Sequence, residues 1–368
     1  MANEINTLQT IARQALPRLI DSLVFPNLVY RDFSEEFAGQ GDTIQVRRPV
    51  TLQAKEFDQA SGVDYEDLTE HTIPVTLDKL VTVDAAATAV ETAVNLDDLN
   101  RAFIEPAVQA LAEKINADGL KLYAEVSSAV DASAHDLAAL AEVRRQMNVN
   151  RIPTSGRVAV WDPAADATFA TLPAIVNAEK SGSSQALREG AIGRVFGIDN
   201  YMSQAVVRHE TGITAANGVK LSAAVEAGAT QLNLTGTSLA GKLVKGDVLT
   251  VGGATYVVTQ DSAAAASNAI SGVKVAPALP ALAANTPVTL AGSHSACLAF
   301  HPMAFAYVTR PLYNPDGEGV ASYVTSFNGV SLRVTRGYDQ KYKKSVYSMD
   351  VLYGYKAIYP ELAVRAMA

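Results

Sequence analysis

One segment of the chain has a composition that its two flanks do not share. Between Thr211 and Gly292 the sequence contains no arginine and no methionine, and its only aromatic residue is Tyr256. Both flanks carry arginine and several aromatic residues. A change of composition at both ends of the segment predicts a small domain inserted into a larger one. The two parts of the larger domain are then far apart in the sequence.

The inserted segment, residues 212–293, is predicted to be β-rich. It is built largely from Ala, Gly, Thr and Val. The phrases Gly246–Gly253 and Tyr256–Thr259 have the pattern of short strands joined by glycine turns. The flanks must therefore identify the host domain.

The overall composition excludes several classes of protein. The chain has 368 residues, of which 48% are hydrophobic and 18% charged, but no apolar run of the length that a membrane helix needs. Its first residues have neither a cationic start nor an apolar core, so we expect no classical secretion signal. The net charge of -8 disfavours a general electrostatic hold on nucleic acid. We expect a globular protein without a membrane partner.

No motif of an enzyme or a metal site is present. The sequence lacks a nucleophile elbow, a phosphate loop and a dinucleotide-binding glycine fingerprint. Its five histidines are scattered, and its one cysteine, Cys297, lies in an apolar run typical of a buried strand. We therefore predict no catalytic residues, no metal and no cofactor.

One cluster of basic and aromatic residues has two interpretations. It consists of Arg333, Arg336, Lys341, Lys343 and Lys344 with Tyr338 and Tyr342. Such a mixture occurs on nucleic-acid-binding surfaces, but it also occurs in solvated hairpin turns. Acidic Asp339 and the negative net charge favour the turn.

The first ninety residues of the host predict an arm and a long hairpin. Apolar residues at helical spacing predict a helix over Ile5–Leu23, kinked or split at Pro17, which either packs on its own subunit or docks on another. The alternating runs Thr43–Arg48 and Ile73–Val83 then predict two long strands around a polar, acidic middle. Because an isolated hairpin is marginal in water, the tip is either disordered or supported by a neighbouring molecule, and an ordinary solvated hairpin is the alternative.

The rest of the host mixes helices and strands. An apolar stripe predicts a long helix over Glu105–Val126, with Pro106 in its first turn, and a further helix covers Ala134–Met147. The apolar pattern predicts a buried strand at Arg157–Trp161. It also predicts a pair of strands at Val330–Val334 and Ser345–Gly354. The host is predicted to be α+β.

The order of these parts resembles one known family. The matching phrases are Gly190–Asp199, Gly329–Val334, Asp350–Ala357 and Pro360–Arg365. They are similar to phrases in the major capsid (coat) proteins of tailed phages, specifically the P22-type proteins with the HK97-like fold. The resemblance covers residues 1–210 and 295–368, and the insertion matches loosely through Lys245–Val251.

The resemblance implies an α+β HK97-like capsid fold with seven segments. They are an N-terminal arm (1–40), an extended E-loop hairpin with its return strand (41–89), the peripheral domain with a long spine helix (90–133), the first part of the axial domain (134–211), an inserted β-barrel-like domain (212–293), the second part of the axial domain (294–328) and C-terminal strands that return to the peripheral domain (329–368).

The implied function is structural. Copies of the chain would assemble into the hexamers and pentamers of the icosahedral head of a tailed double-stranded DNA phage, with the E-loop of one subunit over the next. The implied partners are further copies, a scaffolding protein, the portal protein and packaged double-stranded DNA, which is enclosed without sequence-specific binding. The implied location is the virion capsid, after assembly in the cytoplasm of the bacterial host.

The resemblance also suggests candidate contacts between subunits. We expect acidic residues of the E-loop to meet basic residues of a neighbour, and charge reversal of the acidic ones should then impair assembly. The acidic candidates are Asp58, Glu66 and Asp67, and the basic candidates are Arg47, Arg48 and Arg101.

Two rival interpretations draw on other features. A β-rich surface or carbohydrate-binding protein would use the insertion, but it requires an export signal and aromatic platforms, and Tyr256 is the only aromatic residue there. An enzyme of an unrecognised type would require titratable residues that converge in a deep polar pocket. The sequence favours the capsid protein over both.

Overall fold

The computed structural model describes residues 8–31, 43–48, 71–88, 104–177, 190, 192–315, 320–327 and 329–368. Internal contacts divide the chain into two units. The first unit comprises Met1–Leu16, Arg31–Phe103 and Ala306–Ile358. The second comprises Pro17–Tyr30, Ile104–Phe305 and Tyr359–Ala368.

The described residues form six α-helices, three short 3₁₀ helices and twenty-two strands. The α-helices are α1 (Leu8–Ser22), α2 (Phe25–Leu28), α3 (Glu105–Leu120), α4 (Leu137–Val149), α5 (Pro163–Ala170) and α6 (Pro173–Val176), and the 3₁₀ helices are Lys121–Glu125, Pro302–Ala304 and Pro360–Leu362. The first eight strands are β1 (Thr43–Arg48), β2 (His71–Thr76), β3 (Lys79–Thr88), β4 (Ala129–Asp131), β5 (Val158–Trp161), β6 (Arg194–Val195), β7 (Ile198–Met202) and β8 (Arg208–His209). The next eight are β9 (Ile213–Asn217), β10 (Lys220–Leu221), β11 (Gln231–Thr235), β12 (Ser238–Gly241), β13 (Val248–Val251), β14 (Ala254–Val258), β15 (Ala269–Ala276) and β16 (Val288–Leu290). The last six are β17 (His294–Phe300), β18 (Phe305–Thr309), β19 (Ala321–Phe327), β20 (Val330–Asp339), β21 (Lys344–Ala357) and β22 (Ala363–Met367).

The first unit is organised around the long strand β21. It pairs with β20, β18 and β3, and β19 pairs with the other side of β20. Along β21 alternate side chains are buried, as the two-residue period of a strand with one face on a core requires. The buried residues of this alternating set are Ser345, Tyr347, Met349, Val351 and Tyr353, and Asp350 and Ala357 of the same strand are buried as well.

The predicted two-stranded excursion is present, but its return strand is interrupted. β1 and β2 pair antiparallel, from Thr43 opposite Thr76 to Arg48 opposite His71. After Asp78 the chain continues as β3, which pairs with β21 instead of β1. The run Ile73–Val83 is therefore two strands in two sheets, because each half finds a different partner.

The second unit contains a seven-stranded sheet in the order β4-β22-β17-β5-β7-β6, with β8 paired to β17. The β22–β4 and β5–β7 pairs are parallel, and the others are antiparallel. One hydrophobic core includes residues of α4, α5 and this sheet, with Trp161 and Phe169 edge to face at a centroid distance of 4.9 Å. Asp136 and Asp162 cap the two helices by accepting hydrogen bonds from Ala139 N and Ala165 N.

Helix α3 begins where the sequence predicted. Pro106 lies in its first turn, where a missing N–H costs nothing. The α-helix ends at Leu120 and continues to Glu125 as a 3₁₀ helix, so the predicted span Glu105–Val126 is helical almost throughout but changes type. Helix α1 likewise runs through Pro17 without being split.

The segment 212–293 contains strands β9 to β16. Six of them form a sheet in the order β10-β11-β15-β14-β13-β16, and β9 pairs with β12. The strands predicted on either side of the Gly252-Gly253 turn are present as β13 and β14. A separate core fills this segment, and its fully buried members include Leu221, Leu234, Leu249, Val258 and Val273.

The C-terminal residues differ from the expected assignment in one respect. The range 329–368 was expected to return to the peripheral sheet, and β20 and β21 do pair with each other and with β3. However, β22 pairs with β17 and β4 in the seven-stranded sheet of the second unit. The apolar run Ala363-Val364 gives a strand pattern but no sign of which sheet receives it.

Candidate assembly contacts and the buried junction of the insertion

Two of the six candidates for inter-subunit contacts lie in the described part of the chain. Arg47 and Arg48 lie in β1, opposite Thr72 and His71. The other candidates, Asp58, Glu66, Asp67 and Arg101, lie outside the described residues. Their contacts with a neighbouring subunit stay a prediction.

The basic and aromatic cluster divides into a half-buried, ion-paired arginine and an exposed remainder. The half-buried Arg333 is held by Asp350, with Nε and Nη2 at 2.8 and 2.6 Å from Oδ2. Arg336 lies over the ring of Tyr347, 5.5 Å from its centroid. Lys341, Lys343 and Lys344 are exposed at the turn between β20 and β21. The cluster is thus a hairpin turn whose exposed part is lysine-rich.

Within the described ranges, no cluster of three or more His, Cys, Asp or Glu side chains is arranged to bind a metal. Cys297 is fully buried in β17, and burial raises the pKa of its thiol far above the ordinary value. None of the helices in the described part of the chain combines the length and the hydropathy needed to span a bilayer.

The largest group of buried polar side chains lies within the second unit, where the chain enters and leaves the segment 212–293. The chain leaves through β8 and returns through β17, and His209 and His294 are directly opposite each other in this strand pair. Their ring centroids are 5.5 Å apart, and both side chains are buried. The two connections of the insertion therefore form one paired neck.

His209 links the 3₁₀ helix after α3 to the insertion. Its Nε2 lies 2.8 Å from Asp247 Oδ1, and its Nδ1 lies 3.1 Å from Tyr123 Oη. Because a carboxylate only accepts, Nε2 carries a proton and donates it to Asp247, and the hydroxyl of Tyr123 donates to Nδ1 when the ring is neutral. The second oxygen of Asp247 accepts from Val244 N at 2.7 Å.

A buried arginine completes the junction. Arg365 is 0% exposed in β22, its Nη1 donates to Gly246 O at 2.5 Å, and its guanidinium lies 4.5 Å from the ring centroid of Tyr123. Burial lowers its pKa to about 10, although Tyr123 and Asp247 act in the opposite direction. The guanidinium therefore stays charged at neutral pH, with Nε and Nη2 lacking a hydrogen-bond partner among the described residues.

Gly246 allows the insertion to approach this closely. Its φ of +96° is in the region that favours glycine, and a Cβ there would lie 3.1 Å from the Cβ of Ala124 and 3.3 Å from the ring of Tyr123. From sequence, Gly246-Asp247 was predicted only as part of a phrase of short strands and glycine turns, and no role at a junction was predicted for His209 or Arg365. A charged residue inside the apolar run Ala363–Ala366 is the one signal that pointed to a buried ionic site.

Tyr123, His209 and Asp247 are residue types that also form proton relays, but their position here excludes that use. All three side chains are buried, with 8%, 3% and 2% of their surface exposed. A substrate cannot reach them, and the hydrogen bonds run between the insertion and its host. The arrangement is a structural clamp.

His294 is expected to make the junction sensitive to acid. Its Nδ1 donates to Gly292 O at 2.6 Å, while burial and the Arg365 cation lower its pKa to about 4. In the unfolded chain His294 binds a proton once the pH falls below 6.5, whereas in the folded chain it remains neutral down to about pH 4. Protonation therefore favours the unfolded state between these two pH values, and the free energy of unfolding falls as the pH falls through this window. The loss attributable to His294 is about 3 kcal/mol.

Urea unfolding of the wild type and of His294→Asn at pH 7 and pH 4 checks this. The asparagine amide retains a donor for Gly292 O and does not titrate, so the variant should lose less stability between the two pH values. Carboxylates titrate in both proteins and cancel in the comparison. Equal losses in the two proteins would contradict the assignment.

Solved structures of other proteins have a fold similar to that of this chain. No family model matches the chain, and no curated protein matches its sequence. A chain of Mycobacterium phage Che8 superposes with a TM-score of 0.54 and 15% identity, over 94% of this chain and 90% of that one. A chain from the capsid of the cyanophage P-SCSP1u has a TM-score of 0.49 and 13% identity, over 89% and 84% of the two chains. A chain of the bacteriophage PhiM1 mature capsid has a TM-score of 0.45 and 12% identity, over 89% and 82%.

The similarity to the Che8 chain extends over nearly the whole of both chains, and it shows that this chain has the same fold. The predicted α+β, HK97-like fold class is confirmed. The comparison does not separate the P22-type proteins from other phage proteins of this fold, so that finer assignment stays a prediction.

Proposed function

We propose that this chain is the major capsid protein of a tailed double-stranded DNA phage, a structural protein and not an enzyme. The observation that carries the proposal is the fold shared with a phage chain along 94% of this chain and 90% of the other. The predicted arm, hairpin, spine helix and interrupted host domain, which resemble the coat proteins by sequence, support the same conclusion.

The physical properties of the chain suit an assembling shell. The β1–β2 pair is a separate two-stranded sheet, and such a pair gains stability when a neighbouring molecule packs against it. Heterologous contacts repeated from copy to copy form a closed assembly when the rotation that relates neighbouring copies returns to the first copy. A net charge of -8 keeps the wall from binding DNA phosphates tightly.

The proposal includes partners and a location. Copies of the chain form hexamers and pentamers, a scaffolding protein directs their assembly, and a portal protein occupies one vertex of the head. Double-stranded DNA is enclosed without sequence-specific contacts. Assembly takes place in the cytoplasm of the bacterial host, and the finished protein is located in the virion capsid. The E-loop contacts through Asp58, Glu66, Asp67, Arg47, Arg48 and Arg101 and the segment boundaries of the coat proteins belong to the same proposal.

The alternative of a carbohydrate-binding protein is weakened by one observation. Such a protein stacks sugars on exposed aromatic rings, and Tyr256 is the only aromatic residue of the insertion. Its side chain is 3% exposed and packs in the core of the inserted strands. The insertion has no aromatic platform to offer.

Electron microscopy of the assembled material tests the proposed function. The chain is expressed alone and together with the candidate scaffolding protein of its phage, and the sedimentable fraction is imaged in negative stain. We expect uniform closed shells with the scaffold, and shells or curved sheets without it. A chain that remains monomeric under both conditions would overturn the proposal.

A further inference from the structure

The turn between β20 and β21 projects beyond β19 on one side, while on the other side β3 pairs with β21 as far as Lys344, opposite Thr88. The last residue pair between β19 and β20 is Ala321 with Arg336, whereas β20 and β21 continue to pair until Asp339 and Lys344. Asp339 Oδ1 accepts from Lys341 N at 2.8 Å and from Tyr342 N at 3.1 Å, which defines the backbone of the turn. The carboxylate of Asp339 is therefore hydrogen-bonded to the backbone of its own turn.

The surface of this turn is cationic and aromatic. Lys341, Lys343 and Lys344 are exposed, and within the described residues none of the three forms an ion pair with a carboxylate. Tyr338 and Tyr342 are 52% and 61% exposed, so both rings are accessible beside the lysines. We call residues 338–344 the lysine turn.

A groove of complementary character lies in the second unit, with a volume of about 570 Å³. One wall is a single stripe of α3, the second is the end of α1, and the third is the segment after β7. The lining includes Asp21, Glu105, Val108, Ala112, Glu113 and Met202. We call it the α3 groove.

The α3 groove combines an apolar floor with an acidic rim. Val108 and Ala112 are buried at its base, and Met202 is 42% exposed beside them. Glu105 is neutralised by Arg18 at 2.8 Å, whereas Asp21 and Glu113 form no ion pair within the part of the chain that the structure describes. An aromatic ring flanked by ammonium groups fits such a site, because the ring covers the floor and the cations meet the rim.

We propose that the lysine turn of one copy docks in the α3 groove of a neighbouring copy, with Tyr342 as the anchor and the lysines facing Asp21 and Glu113. This inference rests on the proposed function. The two surfaces are different parts of the chain, so the contact is heterologous, and each copy offers both halves. Complementary charge orients the encounter, and the buried tyrosine supplies the lasting contact.

Charge reversal and charge exchange test the contact in the full chain. Lys341→Glu/Lys343→Glu/Lys344→Glu should lower the yield of sedimentable shells by at least about tenfold, since like charges then face each other. Asp21→Lys/Glu113→Lys should do the same. Combining the two sets should restore assembly to within about threefold of wild type, because opposite charges face each other again.

A charge-matched control separates this contact from a general effect of net charge. Lys220→Glu/Lys242→Glu/Lys274→Glu changes three exposed lysines of the insertion and should assemble like the wild type. Thermal unfolding of each soluble subunit shows whether a variant has folded. Recovery of shell yield in the combined variant would also show that the single sets of substitutions did not lower the yield by misfolding.

Other outcomes overturn the proposal. Normal shell yield from the lysine-turn variant would exclude the contact, and normal shells that retain less DNA would assign the turn to the packaged nucleic acid instead. Failure of the combined variant to recover would show that the turn meets a different surface. If the wild-type chain itself forms no shells, the proposed function fails, and the contact fails with it.

Discussion

Replacing Arg365 with alanine is expected to lower the free energy of unfolding by about 2–4 kcal/mol, because a buried carbonyl loses its charged donor and the truncated side chain leaves a cavity. Arg365 is fully buried, donates to Gly246 O and lies against the ring of Tyr123. The alanine leaves a carbonyl without its donor and a cavity beside the ring. Asp247 also loses the nearest buried cation.

Urea unfolding of the soluble subunit at pH 7 measures the effect. Arg145→Ala is the matched control, because Arg145 is an exposed arginine in a close ion pair with Glu142 on α4. Exposed pairs contribute at most about 1 kcal/mol, so the control should stay close to the wild type. Similar losses in the two variants would mean that the buried cation adds nothing beyond an ordinary surface charge.

The second large effect is expected from Gly354→Ala, at the base of the β1–β2 pair. A Cβ at Gly354 would lie 2.1 Å from the carbonyl oxygen of Thr76, and backbone cannot move aside as a flexible side chain does. The strand β21 and the end of β2 must separate. We expect a loss of about 3 kcal/mol or more, at the upper end of overpacking effects.

Gly337→Ala provides the control for this substitution. Gly337 lies in the adjacent strand β20, and a Cβ there would meet no atom within 4 Å. Its variant should unfold within about 0.5 kcal/mol of the wild type, as surface substitutions usually do. In the proposed capsid, Gly354→Ala should also reduce shell yield, because it displaces the base of the hairpin. A Gly354→Ala variant as stable as the control would show that β2 does not pack on β21 as described.

The junction bears on how the insertion is attached. Tyr123, His209, Asp247 and Arg365 come from the host, the neck and the insertion, and their hydrogen bonds join all three. Lys245 adds a weaker contact, with Nζ 3.6 Å from Glu125 Oε1. The insertion is therefore held to the rest of the second unit by buried polar groups as well as by its two connections.

Much of the local structure was predictable, because it depends on residues close together in the chain. The strand at Arg157–Trp161 appears as β5, and the pair predicted around residues 330–354 appears as β20 and β21, each longer than expected. The helix predicted at Ala134 begins at Leu137, because Asp136 caps it. Helical and strand periods repeat within a few residues and can be read directly.

The sequence by itself determined the fold class and the type of most elements. Only the tertiary structure decided that β22 joins the seven-stranded sheet, that β3 leaves the hairpin for β21, and that His209, Asp247 and Arg365 meet. The physical reason is sequence distance. Periodicity reports which face of an element is buried, but not which partner buries it, and partners 38 to 119 residues apart are brought together only by the topology of the sheets.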